Sequence, residues 1–155
     1  MYAIGVDAGN SRIKMGLFYN ARLIDTKTIG TQDISSLKIP TRWKVVKPEL
    51  IGLASVVPSV NPVVVDRLQR FYRVRVWVIK PSDCGIRLGI KNPDKVGVDR
   101  VLNCRAGLHL CGSPVVVVDV GTAITVDIVT SRGGFMGGSI IPGPELWVKV
   151  LTSTA

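Results

Sequence analysis

Long apolar stretches are absent from this 155-residue sequence. The longest, such as Pro114–Val118, are far shorter than the roughly 20 residues of a membrane-spanning helix. Met1–Ala8 offers no basic region followed by a long apolar run, so no secretory signal is expected. These absences predict a cytoplasmic protein with no membrane partner.

Cysteine and histidine are also scarce. The three cysteines, Cys84, Cys104 and Cys111, form an odd set without paired spacing, which favours reduced thiols over a disulfide framework or a zinc site. The only histidine, His109, lies in the middle of a predicted helix and is interpreted as a structural or surface residue. No Ser-His-Asp or Cys-His set is therefore predicted.

Acidic residues are few relative to basic ones, 11 against 20, which gives a formal charge of +9. Such an excess is typical of nucleic-acid-binding proteins, because Lys and Arg neutralise phosphates. The basic residues are scattered, however, and the densest group, Arg67–Arg75, alternates with apolar residues. We therefore expect a generally basic surface that attracts anionic substrates, and keep a nucleic-acid-binding module as an alternative. With 46% hydrophobic and 20% charged residues, the chain is expected to be globular.

The hydrophobic pattern predicts alternating sheet and helix. In the first half it predicts three strands, then a strand, a helix and a strand: Tyr2–Val6, Arg12–Phe18, Arg22–Ile29, Leu50–Val57, Asn61–Tyr72 and Arg73–Ile79. In the second half it predicts a helix, three strands and a helix start: Val98–Leu110, Val115–Asp119, Ala123–Val129, Phe135–Ile141 and Glu145–Leu151. Two similar strand–turn–strand units, at Asp7 and at Asp119, are the main organisational signal.

The turns of these two units share an order of residues. Asp7–Lys14 and Asp119–Asp127 each begin with Asp, reach Gly after one residue and then present hydroxyl side chains. Backbone amides in such a turn can donate hydrogen bonds to phosphate, and Asp7 can hold a hydrated magnesium ion. A single copy is equally typical of an ordinary β-hairpin. The duplication favours the phosphate hypothesis, with two turns that clamp a polyphosphate.

Two further segments carry candidate chemistry. Pro93–Arg100 lies at a predicted helix start, where free amides attract anions, Arg100 can bind a carboxylate and Asp99 can accept a proton. The alternative for Asp99 is a helix cap. Gly133–Gly143 is rich in glycine, which indicates close backbone approach to a ligand or another chain, or else a bulged tight turn.

In this order, the four segments resemble the motifs of type III pantothenate kinases, within the acetate/sugar kinase, Hsp70 and actin superfamily. The family pattern reads D-x-G-N-T-x-x-K, P-x-x-x-G-x-D-R, D-x-G-T-A-x-T and G-G-x-I-x-P-G. This chain supplies them at Asp7–Lys14, with Ser11 in place of Thr, Pro93–Arg100, Asp119–Thr125 and Gly137–Gly143. The resemblance covers nearly the whole chain. It implies an α/β actin/ribonuclease H-like ATPase fold, a mixed sheet with helices on its faces, with a first lobe over residues 1–113 and the start of a duplicated second lobe over 114–155.

The resemblance also implies a reaction, because the family transfers the ATP γ-phosphate to the hydroxyl of pantothenate in coenzyme A synthesis. The residues implied to bind the ATP phosphates are Asp7, Ala8, Gly9, Asn10, Ser11, Arg12, Ile13 and Lys14, with Thr122 touching ATP. Those implied to hold pantothenate are Gly97, Val98, Asp99 and Arg100. Among them Asp99 would be the catalytic base and Arg100 would lie near the substrate carboxylate. Asp119 would bind a monovalent cation, K⁺ or NH₄⁺, in addition to ATP with Mg²⁺, and the protein would be a homodimer.

Two features depart from the family pattern. Ile90 stands where many members have an aromatic residue, and members continue from the region of Thr152–Ala155 into the rest of the second lobe. The predicted helix start at Glu145–Leu151 is therefore expected to expose Leu146, Trp147 and Val150. These departures leave a second hypothesis beside the kinase: an inactive truncated relative or a regulator similar to the Bvg accessory factor.

Overall fold

The computed structural model of the chain describes residues 1–154. They form two compact units, one over Met1–Ile79 and one from Lys80 onward. The first contains β1 (Tyr2–Ala8), β2 (Arg12–Tyr19), β3 (Arg22–Gly30), β4 (Leu50–Ser55), α1 (Asn61–Tyr72) and β5 (Val76–Val78). The second contains β6 (Arg87–Leu88), α2 (Val98–Cys111), β7 (Val115–Val120), β8 (Ala123–Val129), β9 (Gly134–Pro142) and α3 (Pro144–Thr154).

The sheet of the first unit has the strand order β3-β2-β1-β4-β5. Strands β1, β2 and β3 form an antiparallel meander, while β4 and β5 run parallel to β1 and are joined by α1. The tight turn between β2 and β3 places Asn20 and Ala21 at positive φ, 47° and 63°. This arrangement is that of a ribonuclease H-like lobe, so the expected fold class is confirmed.

The core of the first unit lies on one face of this sheet. The alternate residues Ile4, Val6 and Ala8 of β1 are at most 3% exposed, because strand side chains alternate between faces. Helix α1 covers this face with Val64 and Leu68, both fully or nearly fully buried. The bounds of α1 are those that its hydrophobic spacing predicts.

The connection between β3 and β4 is a pair of short 3₁₀ helices, Thr31–Ser36 and Thr41–Trp43, which the sequence pattern does not predict. Trp43 is 1% exposed, and its indole Nε1 donates a hydrogen bond of 2.8 Å to Asp25 Oδ2 on β3. This hydrogen bond lowers the pKa of the Asp25 carboxyl. One buried aromatic residue thus fixes a segment that has no regular hydrophobic period.

The second unit repeats the meander. Its sheet has the order β6-β9-β8-β7, and β7, β8 and β9 are antiparallel neighbours as β1, β2 and β3 are. Helix α2 packs against β7 and β8. Gly107 permits this close packing, because a Cβ there would lie 2.7 Å from Cγ2 of Val117.

The first two strands of each meander pair in a similar way, although the turn of the second meander is one residue shorter. Val6 lies opposite Met15 in the first unit, and Val118 lies opposite Val126 in the second. In each case the next residue along the first strand is the aspartate that begins a turn. The internal duplication predicted from the sequence is therefore present in the structure.

The equivalent faces differ in exposure. The side chains of Val116, Val118 and Val120, which correspond to Ile4, Val6 and Ala8, are 58%, 58% and 62% exposed. Ile128 on β8 and Ile141 on β9 lie on the same face and are each 47% exposed. We call these five residues the open face. The apolar residues Leu146, Trp147 and Val150 of α3 are also exposed, as the sequence predicts.

Some boundaries differ from those predicted. Strand β4 ends at Ser55 rather than Val57, and β5 spans Val76–Val78 rather than Arg73–Ile79. The second difference arises because Arg73 adopts φ of 56° to end α1. The division into compact units follows Ile79, and α2 packs on β7 and β8 within the second unit. The expected lobe boundary after residue 113 stays a prediction. No helix within residues 1–154 is long and apolar enough to cross a membrane.

Candidate functional site

The first candidate segment, Asp7–Lys14, is the turn between β1 and β2 with its flanking strand residues. Asp7 and Lys14 are directly opposite each other across the two strands. The amide of Gly9 donates to the carbonyl of Arg12 at 3.0 Å and closes the turn. Gly9 does not adopt a positive φ, and a Cβ there would come no closer than 3.4 Å to Arg12 O. The turn therefore forms without backbone strain.

The start of the first 3₁₀ helix anchors this turn from behind. The hydroxyl of Thr31 donates to the carbonyl of Gly9 at 2.7 Å, and its amide donates to the carbonyl of Ser11 at 3.0 Å. Thr31 alone thus donates hydrogen bonds to two carbonyls of the turn. Thr31 was not singled out in the sequence, because its role depends on the distant end of β3.

Of the eight residues implied to bind ATP phosphates, Gly9 is half-buried and the other seven divide into two groups. Ala8 and Ile13 are fully buried core residues, so only their backbone atoms can reach a ligand. The side chains on the surface are those of Asp7, Asn10, Ser11, Arg12 and Lys14. The surface group combines one carboxylate, two hydrogen-bonding side chains and two cations, which suits a hydrated metal and phosphate oxygens.

The second candidate segment is the start of α2. Gly97 occupies the N-cap position and has no side chain to cap the helix, and Val98 is buried. Asp99 Oδ1 accepts a hydrogen bond of 2.8 Å from the amide of Arg100. One Asp99 oxygen therefore satisfies a free amide in the first turn of the helix, as the alternative capping hypothesis expects. The hydrogen bond uses only Oδ1.

Arg100 is bound to Asp127 through two of its guanidinium nitrogens. Its Nε donates to both carboxylate oxygens of Asp127, at 3.2 and 3.0 Å, and its Nη2 donates to Oδ1 of the same residue. Asp127 is 1% exposed, and the guanidinium also lies 5.9 Å from the centre of the Phe135 ring. The hydrogen bond with Asp127 raises the pKa of Arg100 above its ordinary value, so the guanidinium stays charged. Two of the three guanidinium nitrogens are thus already bound within the protein.

A second polar contact joins α2 to the end of β7. Asn103 Nδ2 donates to Oδ2 of Asp119 at 3.0 Å. Asn103 lies four residues after Asp99 and three after Arg100, so all three side chains lie on one side of the helix. The structure therefore brings Asp99, Arg100 and Asp119 to the same region of the second unit. Neither Asn103 nor Asp127 was assigned a role from the sequence.

The turn after Asp119 is built by close backbone contacts. Thr122 is exposed, and its carbonyl accepts a hydrogen bond of 2.9 Å from the amide of Gly143. A Cβ at Gly143 would lie 2.0 Å from the carbonyl oxygen of Gly121, and one at Gly138 would lie 1.8 Å from that of Val126. The glycines of the fourth segment thus serve close approach of the chain to itself, which favours the bulged-turn interpretation over a ligand contact.

The three cysteines and the single histidine have no proposed chemical role. Cys84, Cys104 and Cys111 are free thiols, as predicted, and His109 is exposed in the last turn of α2. Burial raises the pKa of Cys104 to about 11. Among residues 1–154, no three His, Cys, Asp or Glu side chains are placed to hold a metal ion together.

Comparison with known proteins identifies the family. Residues 3–155 match the family model described as type III pantothenate kinase. The chain belongs to the type III pantothenate kinase family. This membership agrees with the four motifs and with the fold of both units.

Individual relatives support the assignment. The type III pantothenate kinase of Persephonella marina is 33% identical over 97% of this chain, and that of Solibacter usitatus is 31% identical over 97%. The chain spans 63% and 62% of the lengths of these two relatives. What the whole relatives do is therefore a matter of proposal for this chain.

Two solved structures share the fold. A protein from Campylobacter jejuni described as a Baf family transcriptional activator aligns over 98% of this chain and 60% of its own, at 21% identity and a TM-score of 0.62. The ethanolamine utilization protein EutJ from Carboxydothermus hydrogenoformans aligns over 99% and 57%, at 13% identity and a TM-score of 0.56. At these identities the likeness concerns the fold alone.

Proposed function

We propose that this chain carries the phosphoryl-transfer site of a pantothenate kinase, which uses ATP to convert pantothenate to 4'-phosphopantothenate in coenzyme A synthesis. The observation that carries the proposal is the cluster at the start of α2, where Asp99 and Arg100 lie beside Asn103 and Asp119. The family match over residues 3–155 supports the choice of substrate.

Asp99 is proposed as the catalytic base. Its carboxylate takes the proton of the substrate hydroxyl while the hydroxyl oxygen attacks the γ-phosphorus of ATP and ADP departs with the bond electrons. One of its oxygens accepts a hydrogen bond from the amide of Arg100, and this hydrogen bond orients the carboxylate. Positioning of this kind supplies most of the catalysis in phosphoryl transfer.

Arg100 and the helix start are proposed to bind the pantothenate carboxylate. The pair with Asp127 fixes the guanidinium plane, and the third nitrogen, Nη1, is the one proposed to reach the substrate. The amides around Gly97 and Val98 add partial positive charge, since they begin an α-helix of 14 residues. Arg100 thus has a structural partner and a proposed substrate contact.

ATP, Mg²⁺ and a monovalent cation are the proposed cofactors. The turn of Asp7–Lys14 offers amides, hydroxyl and amide side chains and cations for phosphate oxygens, with Asp7 for the magnesium, and Thr122 is proposed to touch ATP. Asp119 fits a K⁺ or NH₄⁺ role because it is exposed and the hydrogen bond from Asn103 uses only its Oδ2. A bound cation would neutralise negative charge beside the phosphates. A cytoplasmic homodimer is proposed with these roles.

The proposal is tested by release of ADP from ATP with Mg²⁺, K⁺ and pantothenate. We expect release that requires pantothenate and falls at least about 100-fold in Asp99→Asn, because the base is lost. The matched control is Asp94→Asn, an exposed aspartate in the same segment, which should change the rate less than about twofold. Folded wild-type protein that releases no ADP would instead favour an inactive or regulatory relative.

The cation role has its own test. Replacing K⁺ with Na⁺ at constant ionic strength should lower the rate of wild-type protein, since the site is proposed to select the larger ion. Asp119→Asn should reduce the rate in K⁺ and remove the difference between the two salts. A variant that keeps the full preference for K⁺ would place the cation elsewhere.

A further inference from the structure

Positive charge is concentrated in the first unit. Twelve of the 20 Lys and Arg residues lie in Met1–Ile79, against five of the 11 acidic residues. This unit therefore carries +7 of the net charge of +9. The positive charge is therefore less evenly distributed than the sequence pattern indicates.

Much of this charge surrounds one cavity of about 910 Å³. It is bounded by β3, by the chain around the second 3₁₀ helix and by the C-terminal half of α1. Five cationic side chains line it: Lys27, Lys38, Lys44, Arg67 and Arg70. Within the described residues, Asp66 is the one acidic residue of the lining, and its carboxylate is paired with Arg70 at 2.6 Å.

The cations differ in how firmly they are held. Arg67 donates from Nη1 and Nη2 to the carbonyl of Ser35 at 3.1 Å, and from Nη1 to the carbonyl of Leu37. Neutral carbonyls hold its side chain without cancelling its charge. Among residues 1–154, no ion pair or hydrogen bond engages the ammonium groups of Lys27, Lys38 and Lys44. The cavity thus combines one fixed cation with three uncompensated ones.

The lining also has an apolar part. Ile39, Pro40 and Phe71 contribute to the cavity, and Phe71 is 44% exposed. An exposed aromatic ring beside several cations suits a ligand that has both a phosphate group and a ring or apolar portion. The cavity volume falls within the range of small-molecule sites, about 300–1,000 Å³.

This cavity is separate from the turn at Asp7–Lys14. Helix α1 starts just after β4, whose last residue, Ser55, is paired with Ala8 beside that turn. Arg70 lies nine residues along α1 from Asn61, which at 1.5 Å per residue is roughly 14 Å away along the helix axis. The C-terminal end of α1 therefore lies away from the turn. Lys27 on β3 pairs with Met15, so it lies on the sheet face opposite to that of Lys14.

We propose that this basic cavity is a second ligand site, which binds a phosphorylated small molecule through Lys38, Lys44 and Arg67, with the apolar part of the ligand against Phe71. The proposal is independent of the kinase activity. Its ligand class is defined by the chemistry of the lining: at least two negative charges and a flat or apolar group.

Residue-resolved NMR titration of the full chain with inorganic pyrophosphate and with ADP tests the proposal. We expect chemical-shift changes at Lys38–Lys44 and at the end of α1. These changes should persist in Lys14→Glu, a variant that weakens phosphate binding by the turn at Asp7–Lys14. ADP should bind the cavity more tightly than pyrophosphate, and Phe71→Ala should remove that advantage.

The double variant Lys38→Glu/Lys44→Glu should weaken pyrophosphate binding at the cavity at least about tenfold. The control is Lys47→Glu, an exposed lysine of the same unit outside the lining, which should change it less than about twofold. Retained amide shifts elsewhere confirm that the variants are folded. The proposed site would be overturned if Lys47→Glu weakened pyrophosphate binding as much as the double variant does. Chemical-shift changes confined to Asp7–Lys14 would also overturn it. Binding of single-stranded RNA but not of ADP would overturn the small-molecule assignment.

Discussion

Arg100 and Asp127 form a largely buried ion pair, with side chains 15% and 2% exposed. A buried pair contributes little net stability relative to apolar residues, but removing one partner leaves the other charge uncompensated. The pair therefore fixes the start of α2 against β8 at the place where Asp99 must be oriented.

Asp127→Asn should lower the free energy of unfolding of the second unit by about 3–5 kcal/mol, since Arg100 would keep its charge without a carboxylate. Urea unfolding followed by circular dichroism measures the change. Asp94→Asn, an exposed control, should change it by less than about 0.5 kcal/mol. Equal stabilities of the two variants would show that the pair does not anchor the helix.

The thiols give a second prediction for single residues. Cys104 is 0% exposed and its pKa is raised to about 11, while Cys111 is exposed. Because the thiolate is the reacting form, Cys104 stays protonated and inert at neutral pH and becomes reactive only as the pH approaches 11. Alkylation at pH 8 followed by mass spectrometry should label Cys111 first. Early labelling of Cys104 would contradict the packing of α2.

The elements of the second unit depend on glycines that permit backbone contact. Gly143 lies against the turn after β7, where a Cβ would be 2.0 Å from Gly121 O, whereas a Cβ at Gly121 itself would meet nothing closer than 3.8 Å. The two glycines form the same contact from opposite sides, yet only one of them has no room for a side chain.

Gly143→Ala should therefore destabilise the second unit by at least about 2 kcal/mol, because the backbone around Gly121 must move. Gly121→Ala should cost less than about 1 kcal/mol. Thermal unfolding of both variants decides between them. If Gly143→Ala were as stable as the wild type, the turn would not have the described contacts.

Elements with a regular period were predictable from the sequence, and contacts between distant segments were not. The spacing of Val64 and Leu68 suffices for α1, and alternation suffices for β1 and β2. The Arg100–Asp127 pair joins residues 27 positions apart, and it depends on the register of β8 and the packing of α2. The motif spacing is therefore enough to predict candidate site residues, but the partner of Arg100 required the structure.

At the scale of the whole chain, the duplicated meanders present the same apolar pattern in two environments. Val6 is 3% exposed beneath α1, and its equivalent Val118 is 58% exposed on the open face. Val6 and Val118 therefore have the same residue type and differ in burial, so substitutions at the two positions measure the effect of burial on stability.

Val6→Asp should prevent folding of the first unit, since it buries an unpaired charge in the core. Val118→Asp should change the stability of the second unit by less than about 0.5 kcal/mol, because the carboxylate remains in water. Circular dichroism and limited proteolysis of both variants test this contrast. Unfolding by Val118→Asp would show that the open face is covered in solution, for example by a second copy of the chain.

The central proposal is that this chain contains the site that phosphorylates pantothenate. The most direct measurement is mass spectrometry of pantothenate after incubation with the chain, ATP, Mg²⁺ and K⁺. We expect a product heavier by one phosphoryl group, in an amount equal to the ADP released, that is absent with Asp99→Asn. Unmodified pantothenate after incubation with folded protein would contradict it.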